Sequence, residues 1–271
     1  MSAPLPVRAE LGRQLGRRRT QTSLLLLIAL PLLLVGAFSL GDGDEGGGAP
    51  TFVDLAQVGA ANFTVFTLFA STGFLLVVLF ALFAGEAVPS EASWSTLRYL
   101  LAAPVPRSRL LAVKLAVALA TSLAALVLLV VWSLVVGLVA YGPTGYRSPA
   151  GDRLDWAALG PRLVLVVASL FTVMLFVSAL AFLVGVLTDA PLGAVGAAVM
   201  VAIVSSILDT IDALGSVRQA LPTHEQFSWA GALAPRVDWS GIVTGGLWSL
   251  VYSVVLLGLA FVAFSRKDVL S

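Results

Sequence analysis

Six stretches of the chain are almost wholly apolar, at residues 22–40, 62–85, 112–141, 162–187, 192–214 and 241–264. At 1.5 Å per residue even the first spans about 28 Å as a helix, close to the ~30 Å hydrocarbon core of a bilayer. The stretches are continuously apolar rather than alternating, so they predict spanning helices and not the strands of a membrane barrel. The pattern predicts an all-α integral membrane protein, a six-transmembrane-helix bundle formed as one domain over residues 1–271. The third helix has room to begin inside the polar segment before it. Only Thr188, Asp189, Ala190 and Pro191 separate the fourth from the fifth, which predicts a tight turn.

Composition agrees with the pattern. Hydrophobic residues make up 59% and charged residues 11% of the sequence, against roughly 25% charged in a soluble domain. No connection is long enough to hold a soluble domain. The absence of cysteine excludes disulfides, thiolate metal sites and a cysteine nucleophile.

The net charge of +1 becomes informative only when divided between the two sides of the membrane. With the N-terminus inside, Arg8, Arg13, Arg17, Arg18, Arg19, Arg98, Arg107, Arg109, Lys114, Arg266 and Lys267 are cytoplasmic. Arg147, Arg153, Arg162, Arg218 and Arg236 lie outside. This division predicts a multi-pass protein of the cytoplasmic membrane with both termini inside. Arginine-rich, lysine-poor usage with abundant Ala, Gly, Leu and Val suggests a bacterial, high-GC coding sequence.

Residues 1–21 form a basic cytoplasmic segment, in which Leu5, Leu11 and Leu15 among arginines suit an interfacial helix on anionic lipid. A solvated basic tail is the alternative. Arg17–Arg19, Leu24–Val35 and Val35-Gly36-Ala37 also resemble a signal peptide, but the apolar run continues to Leu40, and a retained span is the better reading.

The segment at 86–111 is charged and lies between two very apolar runs. Pro89 and Ser90 suit a helix start, Glu91 suits the positive end of the helix dipole, and Pro104 follows an end near Ala102. On that helix Trp94, Leu97 and Leu101 share one face, and Glu91, Ser95 and Arg98 share another. The helix would either dock another protein or simply join two spans.

Glu91, Ser95-Thr96-Leu97-Arg98, Leu101, Pro104-Val105-Pro106-Arg107 and Lys114 resemble the signature of permease subunits of type-2, six-span ATP-binding-cassette (ABC) exporters. The resemblance extends to span number, orientation and the position of the segment after the second span. Ser95 stands where glycine is usual. It implies that Glu91, Thr96, Leu97 and Arg98 form a coupling helix seated in a groove of a separate ATPase subunit, with Glu86 at its membrane boundary. It further implies a second permease copy or paralogue, and ATP and Mg bound by the partner rather than by this chain.

The residues add their own constraints. Neither lysine, Lys114 after Val113 or Lys267 after Arg266, sits in a Gly-Lys-Ser/Thr phosphate loop, so any ATP work belongs to a partner. No span carries a charge near its middle, which disfavours a proton relay. Thr64, Thr67 and Ser71, and likewise Gly245, Ser249 and Ser253, recur at helical spacing. They would either pack helices closely or line a path for a hydrophobic or amphipathic cargo.

The connection at 209–240 is the most polar, and its tryptophans predict an interfacial cap; the family resemblance implies short re-entrant helices there. His224 beside Glu225 lacks the converging ligands of a metal site. Surrounding lipid is expected as a partner and nucleic acid is not. The function expected is that of a permease subunit moving cargo by alternating access, without enzymatic activity of its own. The alternatives are a scaffold or accessory subunit, or a membrane enzyme using 209–240.

Overall fold

A computed structural model describes residues 7–40, 51–89 and 106–266. It is 82% helical. The helices are α1 (Val7–Gly16), α2 (Arg18–Leu40), α3 (Phe52–Ala56), α4 (Ala60–Thr72), α5 (Leu75–Gly85), α6 (Arg107–Tyr141), α7 (Trp156–Thr188), α8 (Pro191–Asp209) and α9 (Trp239–Arg266). A two-stranded antiparallel hairpin, β1 (Tyr146–Arg147) with β2 (Arg153–Leu154), joins α6 to α7. Two 3-10 segments, Asp212–Ala220 and Ser228–Leu233, lie between α8 and α9.

Among the described residues five helices, α2, α6, α7, α8 and α9, are long and apolar enough to cross a membrane. The protein is therefore an all-α, multi-pass membrane protein. The apolar run at 62–85, expected as one helix, is instead the pair α4 and α5, bent by 59° at a short break. The local chemistry explains the bend. Hydroxyls of Thr64, Thr67, Ser71 and Thr72 each donate to the carbonyl four residues back, which loosens and curves a helix. Gly73 follows, and Phe74 leaves helical geometry at φ −137° and ψ −59° before the ladder restarts with Val78 N–H donating to Phe74 O at 2.9 Å.

α6 has 35 residues, about 52 Å of helix, so it projects beyond a ~30 Å apolar layer and begins earlier than the hydropathy edge at 112. α7 starts where Asp155 accepts a hydrogen bond from Ala158 N–H at 3.0 Å. It stops at Asp189, which adopts a left-handed φ of 53°, and Pro191 opens α8, so the tight turn has the geometry its residues favour.

α7 is the hub of the bundle and packs against α9, α5 and α8. Over half of its most apolar window is buried, against 11% for α2, which lies at the periphery. The core joins Phe80, Phe83, Leu126, Leu170, Phe182 and Trp229. In lipid such packing depends on close approach. A Cβ on Gly185 would stand 2.9 Å from Gly85 O and 3.1 Å from Pro89 Cγ, so α5 and α7 touch backbone to backbone there. Gly185→Val is expected to lower stability by about 1–3 kcal/mol through overpacking, read as an earlier thermal transition in detergent. An unchanged melt would show that the crossing relaxes freely.

Candidate functional site

The described ends of the 86–111 segment lie at the end of α5 and the start of α6, and an ion pair with a buried member stands at or near each. Glu86 is the C-cap of α5 and only 3% exposed. A carboxylate is misplaced at a helix C-terminus, where the dipole is negative, so it needs a cation. Arg19 Nη1, from the first turn of α2, lies 2.6 Å from Glu86 Oε1, and Arg17 donates to the Glu86 carbonyl at 3.4 Å. On the returning side Lys114, 3% exposed on α6, reaches Glu10 of α1 at 3.0 Å, and Arg13 meets the same carboxylate at 2.8 Å. Arg107 bonds the carbonyl of Ser265 at 3.4 Å, joining the start of α6 to the end of α9.

α1 is inverted relative to a soluble amphipathic helix. Glu10 and Gln14 face the bundle, while Val7, Leu11 and Leu15 form an exposed apolar stripe. The N-terminal segment is thus a docked helix and not a loose tail, and its stripe has the spacing of an interfacial helix. Of the residues assigned to the coupling element, Glu86 is described, buried and paired at the end of α5. Glu91, Thr96, Leu97 and Arg98, expected to form the coupling element, lie outside the described residues.

Thr64, Thr67 and Ser71 are fully buried, with their hydroxyls committed to their own helix. Ser249 donates towards Thr172 O at 2.7 Å and Val173 O at 2.9 Å and accepts from Phe176 N–H at 3.3 Å, bridging α9 to α7. Ser253 bonds Ser249 O at 2.7 Å. Ser249 thus links two helices, whereas the hydroxyls of Thr64, Thr67, Ser71 and Ser253 bond within their own.

The 209–240 connection folds back on the bundle as a cap. Its tip is apolar: Trp229 is buried, its ring centroid 4.5 Å from that of Phe69, and Phe227 stacks on Phe69 at 5.8 Å. The Phe227 ring also reaches Gly73, at the α4–α5 break. Polar ties hold the margins. The Arg162 guanidinium donates to the carbonyls of Ala232, Ala234 and Pro235. Asp209 faces His224 Nδ1 at 2.5 Å and Arg218 at 3.6 Å, and Ser205 shares a 2.7 Å hydrogen bond with Thr223. Side-chain and backbone hydrogen bonds from Ser240 hold the Asp238 carboxyl below the usual carboxylate range where α9 begins. His224 is therefore paired with Asp209, and Glu225 packs on Gly241 and Gly245 of α9. Among the described residues no group of three metal-ligating side chains converges.

A family described as "Protein of unknown function (DUF2705)" matches residues 33–270. The chain belongs to this family. No curated protein matches it. The DUF2705 match contains Glu86 and Lys114, whereas their described partners Arg19 and Glu10 precede it.

Sequence reasoning missed three features of this DUF2705 member. Glu10 was one acid among five arginines, with no local signal that it pairs a lysine 104 residues away. Arg162 follows Pro161 at the edge of an apolar run, a position that hints at an anchor but not at its three carbonyls. The break at Gly73 was foreshadowed by Thr64, Thr67, Ser71, Thr72 and Gly73 on one stretch.

Proposed function

We propose that this chain is the permease subunit of a type-2 ABC exporter in the cytoplasmic membrane of a bacterium, with α4 and α5 together counted as the second of six spans. In this reading both termini are cytoplasmic, and the 86–111 segment carries the coupling helix. A separate ATPase subunit binds ATP and Mg, and a second permease copy or paralogue completes the pathway. The cargo class that suits uncharged spans is hydrophobic or amphipathic.

The observation that carries the reading is the anchoring of both ends of 86–111. A segment that transmits force must not slide at its roots, and here the buried Glu86 is tied to α2 by the exposed Arg19, and Lys114 to α1 by an ion pair buried on both sides. Glu86, Glu91, Thr96, Leu97 and Arg98 are the residues assigned to coupling.

The test is a mild-detergent pull-down of the tagged chain from its native membrane, with mass spectrometry and an ATPase assay on the eluate. An ATPase in about equal amount is expected, with association and transport falling at least about tenfold in Glu91→Ala/Arg98→Ala while membrane insertion is retained. A chain that elutes without an ATPase even after crosslinking would overturn the reading in favour of a scaffold.

A further inference from the structure

At the hairpin end of the bundle a cleft of about 220 Å³ opens between α3, the first half of α4, the hairpin and the second 3-10 segment. Its wall is apolar and aromatic, with Phe52, Phe66, Phe69, Tyr146 and Leu233. The polar side chain within it, Asn62, is already committed. Its amide donates to Arg147 O and its carbonyl accepts from Arg147 N–H, both at 2.8 Å. Burial pushes the Tyr146 phenol up, away from ionisation. Such an interior suits hydrocarbon. The volume lies below the ~300–1,000 Å³ of ordinary ligand pockets, so it suits one chain rather than a bulky ring system.

The rim has the opposite character. Arg147 belongs to the wall, and the hairpin register sets it directly opposite Arg153. Opposed residues of an antiparallel pair share a face with Cβ atoms roughly 4.5–5.5 Å apart, and like charges so placed repel. Both arginines are exposed, and neither guanidinium bonds a described residue. The nearby carboxylates have other work. Asp152 accepts from Ser148, Asp155 caps α7, and Asp54 is held below its usual range by backbone and side-chain hydrogen bonds from Thr51. Trp156, half-exposed with its indole N–H on Pro143 O at 2.9 Å, gives this end the signature of a membrane–water interface.

We propose that this cleft is a binding site for an anionic amphiphile, with its acyl chain among the aromatic side chains and its acidic head between Arg147 and Arg153. Guanidinium forks match carboxylate and phosphate oxygens, and such a head relieves the repulsion that the hairpin register imposes. The chain enters where α4 enters the apolar layer, and the head stays at the interface. The inference rests on the membrane architecture and not on the transporter reading.

The test uses the full chain in nanodiscs with three photoactivatable probes carrying a diazirine on the acyl chain: palmitate, phosphatidylglycerol and phosphatidylcholine. Crosslinked peptides are mapped by mass spectrometry. At least one anionic probe is expected to label residues 52–69 or 146–149 about tenfold more than the choline probe does, and R147E/R153E should remove that excess. Labelling by palmitate alone identifies a free acid as the ligand, and labelling by phosphatidylglycerol identifies a bilayer lipid; either supports the site. Crosslinks spread over the exposed faces of α8 and α9 without excess at the cleft, or equal labelling by the choline probe, would overturn it. Should the charge-reversed chain fail to fold, competition on the unaltered chain decides: an excess of the unlabelled form of whichever anionic probe labels must suppress cleft labelling, and excess phosphatidylcholine must not.

Discussion

Replacing Lys114 with alanine is expected to destabilise the protein by about 3–5 kcal/mol, the range found when one member of a buried ion pair is removed. Lys114 and Glu10 are both more than nine-tenths buried and lie 3.0 Å apart, so the variant leaves the Glu10 carboxylate in the α1–α6 contact without its enclosed partner. Arg13 still reaches Glu10, but its side chain is 42% exposed and is solvated too well to compensate. The penalty falls on the docking of α1, because α1 meets α6 through this polar face and turns its leucines outward.

Thermal unfolding in detergent should therefore shift downward, and residues 7–16 should become protease-sensitive before the bundle melts. The double variant Lys114→Met/Glu10→Gln should recover most of the loss, since a matched pair without charge carries no stranded ion. A Lys114→Ala chain that melts like the parent would mean that water reaches the pair and that the root of the 86–111 segment is not held this way.

Arg162→Ala is expected to release the cap without unfolding the bundle. One guanidinium serves three carbonyls, those of Ala232, Ala234 and Pro235, at and just past the end of a short 3-10 segment. Hydrogen bonds to a charged group contribute roughly 1.5–3 kcal/mol each, and three from one side chain do not add fully, so a local loss of about 3 kcal/mol is expected. Amides between 228 and 238 should exchange about 100-fold faster while those of α7 and α8 keep their rates. Lysine at this position should be intermediate, because an ammonium lacks the planar fork that reaches all three oxygens. Uniform acceleration across the chain would instead assign Arg162 to global stability. The Phe69, Phe227 and Trp229 contacts carry the cap to the α4–α5 break, so the same variant tests whether the cap sets that bend.

Long apolar runs with charges only at their margins leave a chain no stable state except helices in a bilayer, because backbone groups in hydrocarbon must bond within their own helix. The class of fold, five of the expected helices and the turn at Thr188–Pro191 were for that reason legible from residue order alone. Hydropathy is blind to breaks within an apolar run, and so 62–85 read as one helix until Gly73 and Phe74 divided it into α4 and α5. The roles of hydroxyls were equally hidden. Thr67 bonding its own helix and Ser249 bridging to α7 have the same local pattern, and the neighbour across the contact distinguishes them.

Charge pairing at long range was the least accessible, since Glu10 with Lys114 and Arg19 with Glu86 join residues 104 and 67 positions apart. The same holds for Arg147 and Arg153, whose opposition is a matter of hairpin register. Transfer of apolar side chains out of water depends on what each residue is, and so the sequence by itself determined a multi-pass helical membrane protein. Ion pairs, close backbone approaches and clefts depend on which residues meet, and only the tertiary structure decided those.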